Sequence, residues 1–218
     1  MHVSKVASVE EALSHIQSGQ TIMLAGFTNV GSPNKFIVKM AEAGITDIDL
    51  IANDAGNDHA DGIGTLICQR RVRRLTASHV GLNPQVAAQM NAGELEVHLV
   101  PQGTLAERIR CGGTGLGGVL TPTGVGTVVA EGKQILHLDG RDYLLERPLR
   151  AQVAVLKAWK ADTAGNLVYH RAGRNFNPLM AMAADFVIAE TEEVVAVGEL
   201  DPDEIMTPGV CVDLVVKL

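Results

Sequence analysis

Short apolar segments alternate with glycine-containing loops and amphipathic segments along the chain, and this alternation restricts the fold more than any other feature. Thr21 to Leu24 predict a compact strand, and a loop then leads to a helix that Ser32 caps, Pro33 begins and Gly44 ends. Alternating strands and helices are typical of an α/β fold whose mainly parallel sheet has helices on both faces. Further strands are predicted at 49–52, 74–77, 94–100, 153–156, 186–189 and 210–216.

Capping patterns predict where two further helices begin. A Ser-x-x-Glu box at Ser8 predicts a short helix that stops at Gly19, and a Thr-x-x-Glu box at Thr104 predicts a helix over 105–110. The glycine-dense segment 112–126 is expected to end this second helix, because glycine is a poor helix former.

Three other signals complete the predicted organisation. Asn-Pro pairs at 83–84 and 177–178 each predict a helix start. The turn Asp139-Gly140 predicts a small β-hairpin over 134–146 at an edge of the sheet. No internal repeat, linker or low-complexity tract divides the sequence, so we expect one domain over 1–218.

Composition excludes several classes of protein. Apolar residues make up 46% of the chain and charged residues 20%, which excludes intrinsic disorder. A net charge of −7 repels a phosphate backbone, and an aromatic fraction of 3% leaves little to stack on bases, so nucleic acid is not an expected partner. No apolar stretch reaches the roughly 18 residues of a membrane span, so a membrane is not expected either.

The cysteines and the N-terminal sequence bear on the compartment. Cys68, Cys111 and Cys211 are odd in number and far apart, so we exclude a disulfide framework and interpret them as buried thiols. Residues 1–11 contain no apolar signal core, and a cytoplasmic location is therefore expected.

The loop after the first predicted strand is the first candidate binding segment. Its glycines allow backbone amides to approach a ligand, and the next helix presents its N-terminus to an anion or a developing oxyanion. An ordinary turn between a strand and a helix explains the same glycines, so both interpretations stay open. The segment consists of Ala25, Gly26, Phe27, Thr28, Asn29, Val30 and Gly31.

Polar side chains follow two other predicted strands. Asn53 and Asp54 come after the strand at 49–52, and Gln102 comes after the strand that ends at Val100. Ligands of open α/β sheets bind beyond the carboxyl ends of strands, so these side chains are candidates for one crevice. Asx-turns, capping and a simple chain turn are the structural alternatives.

Several segments match ligand sites only superficially. The string at 113–118 fits GxGxxG, but it follows a predicted helix, whereas a dinucleotide site needs a strand before it. Residues 53–62 contain carboxylates and His59 but lack the twelfth-position carboxylate of a calcium loop, so we expect no metal. The basic run 70–74 is interpreted as a solvated edge rather than as cover for a large anion. No Ser/His/Asp order or GxSxG elbow supports a hydrolase.

Five strings, in order and spread over nearly the whole chain, carry a family resemblance. The most specific are PQGTLAE at 101–107 and TPTGVGT at 121–127. The others are Gly26-Phe27 with Gly31-x-Pro33, then Ile51-Ala52-Asn53-Asp54, and Arg174-Asn175-Phe176-Asn177-Pro178. Together they resemble family I CoA-transferases, and specifically the α subunit of the acetate or acetoacetate type.

This resemblance implies a chemistry and a partner. The family moves CoA between carboxylates by a ping-pong route, in which a glutamate forms a mixed anhydride and then a glutamyl-CoA thioester. That glutamate lies in a Ser-Glu-Asn-Gly-like string of the β subunit, and no such string occurs here. The resemblance therefore implies a heterodimer or α2β2 assembly with a β subunit, no catalytic nucleophile in this chain, CoA as a substrate and no tightly bound cofactor.

The resemblance also implies roles for the candidate residues. The loop from Ala25 to Gly31 corresponds to the family's CoA-binding loop, and Asn53, Asp54 and Gln102 match positions of the carboxylate pocket. Ala25 replaces a glycine that is usual in the family, and Asp54 replaces a common asparagine. A carboxylate at this position would repel an anionic substrate.

The identity of the substrate is inferred from two further segments. Residues 115–120 and 145–150 look most like the short-chain fatty-acid enzymes, so acetate and acetoacetate are the expected carboxylates. A succinyl-CoA:3-oxoacid or 3-oxoadipate enzyme is the alternative. A non-catalytic ligand-binding or dinucleotide-binding domain is the alternative from another class.

Overall fold

A computed structural model describes residues 3–58 and 61–218. Its main feature is an eight-stranded sheet, in which seven parallel strands follow the order β11-β10-β8-β1-β2-β3-β4 and β9 pairs antiparallel with β8. The strands are β1 (Thr21–Leu24), β2 (Ile48–Ile51), β3 (Val72–Ala77), β4 (Glu96–Leu99), β5 (Val119–Thr121), β6 (Ile135–Leu138), β7 (Arg141–Glu146), β8 (Ala151–Asp162), β9 (Leu167–Val168), β10 (Ala184–Val195) and β11 (Leu214–Lys217).

Helices cover both faces of this sheet, as the alternation in the sequence predicts. Ile22 and Leu24 of β1 pack on one face with α1 to α4, and Met23 packs on the other face with α5 and α6. This division follows from the period of two in a strand, which directs successive side chains to opposite faces. The helices are α1 (Val9–Ser14), α2 (Asn34–Glu42), α3 (Gly62–Cys68), α4 (Pro84–Asn91), α5 (Gln102–Thr114) and α6 (Asn177–Met182).

Side-chain caps confirm two of the predicted helix starts. The Ser8 hydroxyl accepts a hydrogen bond from the Glu11 N–H at 3.1 Å, and the Asn83 side chain accepts one from the Gln85 N–H at 3.1 Å. The first helix, however, ends at Ser14, before the glycine that was expected to stop it. A start is set by one side-chain contact, whereas the end of so short a helix depends on the packing around it.

The prediction for α5 is wrong at both ends. The helix begins at Gln102, with Pro101 and not Thr104 at its N-cap, and it continues through Gly112 to Thr114. A Cβ on Gly112 would lie 1.9 Å from the Leu149 carbonyl oxygen, so glycine permits a close helix contact here instead of ending the helix.

The predicted hairpin forms, but it belongs to a second sheet. Asp139 and Gly140 have φ of +49° and +75°, as a two-residue hairpin turn requires. β6 and β7 join β5 in a separate antiparallel sheet of order β5-β7-β6, so the hairpin does not lie at an edge of the main sheet. Buried Glu146 of β7 accepts a hydrogen bond from Lys133 Nζ at 2.6 Å and lies 3.7 Å from Arg108 of α5, which ties the small sheet to that helix.

Candidate functional site

The order of the strands brings the segments after β1 and β2 together at the carboxyl edge of the main sheet. Met23 of β1 lies in register with Ile51 of β2, so the loop 25–31 and Asn53 leave the sheet side by side. β4 lies two strands beyond β2, which places its end about 10 Å away. Gln102 therefore lies apart from the other two candidates.

The loop after β1 folds into a tight turn. Phe27 and Val30 exchange two backbone hydrogen bonds of 3.0 Å, and the two residues between them, Thr28 and Asn29, have φ of +46° and +67°. Such a conformation is strained for residues with a side chain and persists only where the surroundings hold it. Phe27 and Val30 present their side chains to solvent at this edge, with 47% and 51% exposed.

Gly31 closes the turn against another part of the chain. It has φ of +66°, and a Cβ there would lie 2.2 Å from the carbonyl oxygen of Gly173. Ala25, by contrast, keeps an ordinary backbone, with its N–H donating to the Val155 carbonyl at 3.1 Å. The family's usual glycine is thus not required at position 25, whereas glycine is required at position 31.

Asn53 and Asp54 are buried beside this loop, with 2% and 3% of their surface exposed. Asp54 accepts hydrogen bonds from the Thr28 N–H at 2.8 Å, the Gly56 N–H at 2.9 Å and the Asn53 amide at 2.9 Å. The Asn53 Oδ1 accepts from the Ser78 hydroxyl at 3.0 Å. Both side chains are therefore engaged within the chain, and Asp54 fixes the strained turn at Thr28.

Gln102 has the opposite environment. It is the exposed first residue of α5, and its side chain has no hydrogen-bond partner within residues 3–58 and 61–218. Its neighbours Pro101, Gly103 and Thr104 line a cavity of about 320 Å³ that also contacts β5. Gln102 itself does not line this cavity, but its exposed side chain has no partner in the described ranges that a ligand would have to displace.

A groove lies beside the loop. One part of about 680 Å³ and a second part of about 200 Å³ share Trp159 and His170, and the second part reaches Val30 and Gly31. Arg171 and Arg174 line the first part, but Asp203 and Glu204 line it as well. The charge of the groove is balanced, so it does not by itself favour a phosphate.

The predicted capping of α2 is wrong, and this changes the electrostatics of the loop. The Ser32 hydroxyl is buried without a hydrogen-bond partner among the described residues, and Pro33 occupies the N-cap. The Phe36 N–H in the first turn donates instead to buried Glu190 of β10 at 2.8 Å. A carboxylate of this chain thus already faces the helix N-terminus that was considered for an anion.

Sequence reasoning missed the residues that hold the loop from the β8 and β10 side. Glu190, Asn175 and Asn177 contact the segment from Val30 to Phe36. One signal for Glu190 was available, because a carboxylate inside the apolar run of a buried strand needs a partner. Asn175 and Asn177 belong to a string that contributed to the family resemblance, and Asn177 also predicted the start of α6, but neither pointed to a contact with the loop.

The other candidate segments have structural roles where the structure describes them. Residues 113–114 lie inside α5, so the GxGxxG string has no strand before it. His59 lies outside the described residues, and within 3–58 and 61–218 no group of three potential metal ligands occurs. Cys111 is buried and Cys68 and Cys211 are partly buried, all as free thiols.

The basic run pairs with carboxylates of the two neighbouring strands, β2 and β4. Arg73 Nε lies 2.8 Å from Asp49, and Arg74 Nε lies 2.8 Å from Glu96. The hydrogen bond from Arg73 holds the pKa of Asp49 below its usual value. The run is solvated and paired, as expected, but it does not guard an edge strand, because β3 lies between β2 and β4. In the described part of the chain, no helix has both the length and the apolar character to cross a bilayer.

Curated proteins of similar length match the chain closely. It is 52% identical to the alpha subunit of acetate CoA-transferase from Escherichia coli K12, over 98% of this chain and 96% of that protein. It is 48% identical to one subunit of a probable succinyl-CoA:3-ketoacid coenzyme A transferase of Bacillus subtilis, over 97% and 88%. It is 46% identical to the acetoacetyl-CoA:acetate/butyrate CoA transferase alpha subunit of Clostridium acetobutylicum, over 98% of both.

Solved structures share the fold. An acyl-CoA transferase of Escherichia coli O157:H7, in a thioester complex with CoA, has a TM-score of 0.86 at 20% identity. The alignment covers 99% of this chain and 47% of that one, so this chain spans about half of its length. Glutaconate coenzyme A-transferase of Acidaminococcus fermentans has a TM-score of 0.86 at 19% identity, over 98% and 75%.

The family model described as coenzyme A transferase matches residues 6–218. This match covers almost the whole chain, and it agrees with the identities of 46% to 52% to proteins of similar length. The resemblance read from the five strings is confirmed, and the chain belongs to the coenzyme A transferase family.

Proposed function

We propose that residues 1–218 form one α-subunit domain of a heteromeric CoA-transferase that moves CoA between an acyl-CoA and a short-chain carboxylate. Acetate and acetoacetate are the proposed carboxylates. The observation that carries this proposal is the match over nearly the full length to the alpha subunit of an acetate CoA-transferase. The proposed partner is a β subunit, in a heterodimer or α2β2 assembly, because these relatives are named as single subunits.

The proposed reaction is ping-pong and uses a glutamate of the β subunit. Its carboxylate attacks the thioester carbonyl, which releases CoA thiolate and leaves a mixed anhydride. The thiolate then attacks the glutamyl carbonyl, so that the first carboxylate leaves and a glutamyl-CoA thioester remains. The acceptor carboxylate reverses both steps. CoA is a substrate throughout, and no tightly bound cofactor is part of the proposal.

The candidate residues divide between the two substrates in this proposal. The loop Ala25–Gly31 meets CoA, which agrees with its exposed turn and with the groove beside it. Gln102 donates a hydrogen bond to the carboxylate or carbonyl of the acyl group. Asn53 and Asp54 shape the carboxylate pocket from its buried side, since their hydrogen bonds are directed into the chain. Asp54 holds the loop at Thr28, and Asn53 bonds to Asp54 and Ser78.

We place the enzyme in the cytoplasm. The three free thiols are consistent with a reducing compartment, where disulfides rarely form.

The test uses the purified chain with and without its β subunit. We expect CoA exchange between acetoacetyl-CoA and acetate from the two-chain complex and none from this chain alone, because the nucleophile is absent. Exchange by the isolated chain would refute the division of roles. The ratio of kcat/KM for acetate and succinate separates the acetate enzyme from the succinyl-CoA:3-oxoacid alternative, which the Bacillus relative supports.

A further inference from the structure

Two buried side chains outside the predicted site hold the second half of the loop and the helix that follows it. Asn177, at the start of α6, contacts Gly31, and Glu190, in β10, contacts Phe36. Both come from parts of the chain more than 140 residues away in sequence. The backbone from Gly31 to Phe36 is therefore fixed at both ends.

Asn177 makes its contacts with the backbone only. It is fully buried, and its amide donates to the carbonyl oxygens of Gly31 and Gly173, each at 2.9 Å. Its Oδ1 accepts from the Lys157 N–H at 2.8 Å. Both donors are used inside the chain, so Asn177 can influence a ligand only through the residues that it holds, Gly31, Gly173 and Lys157, which line the second part of the groove.

Glu190 joins the start of α2 to Lys157 of β8, which Asn177 also contacts. Its Oε2 accepts from the Phe36 N–H at 2.8 Å, and its Oε1 accepts from Lys157 Nζ at 3.1 Å. Lys157 is thus shared by the two side chains, through its backbone N–H and through its ammonium group. Displacement of Asn177 would move Gly31 at the end of the loop, and displacement of Glu190 would move the first turn of α2, into which the loop leads.

We propose that Asn177 and Glu190 are positioning residues for CoA transfer, which hold the loop Ala25–Gly31 in the conformation that binds CoA. This rests on the proposed function, in which that loop meets CoA. A shift of about 1 Å in a binding group can lower a rate by up to about a hundredfold, so a fixed backbone is a requirement of the site.

The test compares Asn177→Asp with Gln89→Glu in the two-chain enzyme. Each variant changes a buried amide that donates to a backbone carbonyl into a carboxylate of the same shape. Gln89 lies in α4 and donates to the carbonyl of Ile67, near the end of α3. Because β3 begins shortly after Ile67, this contact lies near the amino ends of the strands, opposite the carboxyl edge where the loop lies. Both variants should lower the melting temperature, but only Asn177→Asp should change the position of the loop.

The expected kinetic effect separates the two half-reactions. Asn177→Asp should lower kcat/KM for acetoacetyl-CoA roughly tenfold and change that for acetate by less than about threefold, because CoA is already bound when acetate reacts. Glu190→Gln should act in the same direction. Gln89→Glu should leave both values near wild type. A uniform loss in both half-reactions, or an equal effect of the Gln89 variant, would overturn the proposal.

Two further variants keep the test decisive. Asn175→Ala removes a 2.8 Å hydrogen bond to the Val30 carbonyl from a partly exposed position, so it replaces Asn177→Asp if that variant does not assemble. It should lower kcat/KM for acetoacetyl-CoA about threefold. Val30→Glu places a negative charge on the exposed turn and tests the loop itself. If Val30→Glu alone weakens the acetoacetyl-CoA reaction, the positioning roles are wrong. If it has no effect, the loop does not meet CoA and the proposed site assignment fails.

Discussion

The loop after β1 and the segment after β4 lie at the same edge of the sheet but differ in how firmly they are held. Hydrogen bonds with Asp54, Asn175 and Asn177 fix the loop, whereas the Gln102 side chain is exposed and has no partner in the described ranges. In the proposed reaction CoA is common to both substrates and the carboxylate changes. A rigid loop suits the constant ligand, and a free side chain suits the variable one.

The largest effect is expected in the firmly held loop after β1, with Gly31→Val. The new Cβ would lie 2.2 Å from the Gly173 carbonyl oxygen, on a backbone with φ of +66°. We expect kcat/KM for the acyl-CoA to fall by at least about a hundredfold in the assembled enzyme. Cys111→Ala, at a buried site in α5, is the control and should change the rate little. A folded valine variant with the wild-type rate would show that the loop need not be fixed.

Asp54→Ala tests the support of the loop through stability. The substitution leaves the N–H groups of Thr28 and Gly56 and the Asn53 amide without their acceptor. The free energy of unfolding should fall by about 2–4 kcal/mol, as measured by urea denaturation of the chain. An unchanged stability would mean that these donors do not depend on Asp54.

Gln102→Ala tests the segment after β4, in which the Gln102 side chain is exposed and unheld. Loss of one hydrogen bond to a charged group should cost about 1.5–3 kcal/mol, or roughly ten- to a hundredfold in kcat/KM for the acceptor carboxylate. The melting temperature should not change, because the side chain is exposed and bonds to nothing in the described chain. Unchanged kinetics would show that Gln102 does not contact the substrate and serves only the turn of the chain after β4.

The smallest effect is expected for Asp49→Asn, near the amino end of β2 and away from the candidate site. Arg73 donates a hydrogen bond to Asp49 and lowers its pKa, so the pair stabilises the fold above the pKa of the unfolded carboxyl. That contribution is lost as pH falls through the lower pKa of the folded state. The variant should lose no more than about 1 kcal/mol at pH 7, and the difference should shrink as the pH is lowered below about 4. A loss that grows in acid would contradict this.

The sequence was sufficient for the parallel sheet, because local rules decide the elements on which it depends. The apolar run Thr21–Leu24 and the cap at Asn83 are examples in which a few neighbouring residues determine the element. The helix through Gly112 was missed because the close contact with Leu149 that favours glycine there is a tertiary one.

The candidate site was predictable only in part for the same reason. The loop and Asp54 were candidates because each follows a predicted strand, but the sequence could not pair the Asp54 carboxylate with the Thr28 N–H. The contacts of Asn177 and Glu190 span more than 140 residues, and no local pattern encodes such pairs. Capping by Glu190 in place of Ser32 is the clearest case, since a remote strand supplies what the neighbouring residue was expected to supply.

The central claim is that this chain forms one wall of the site and that the partner supplies the nucleophile. Two glutamates of this chain, Glu192 and Glu204, line the groove, so the claim needs a direct test. The two-chain complex is incubated with acetoacetyl-CoA, the thioester is reduced with borohydride, and the modified residue is located by peptide mass spectrometry. We expect a glutamate of the β subunit to carry the modification, with none on this chain. Modification of Glu192, Glu204 or any other glutamate of this chain would contradict the assignment.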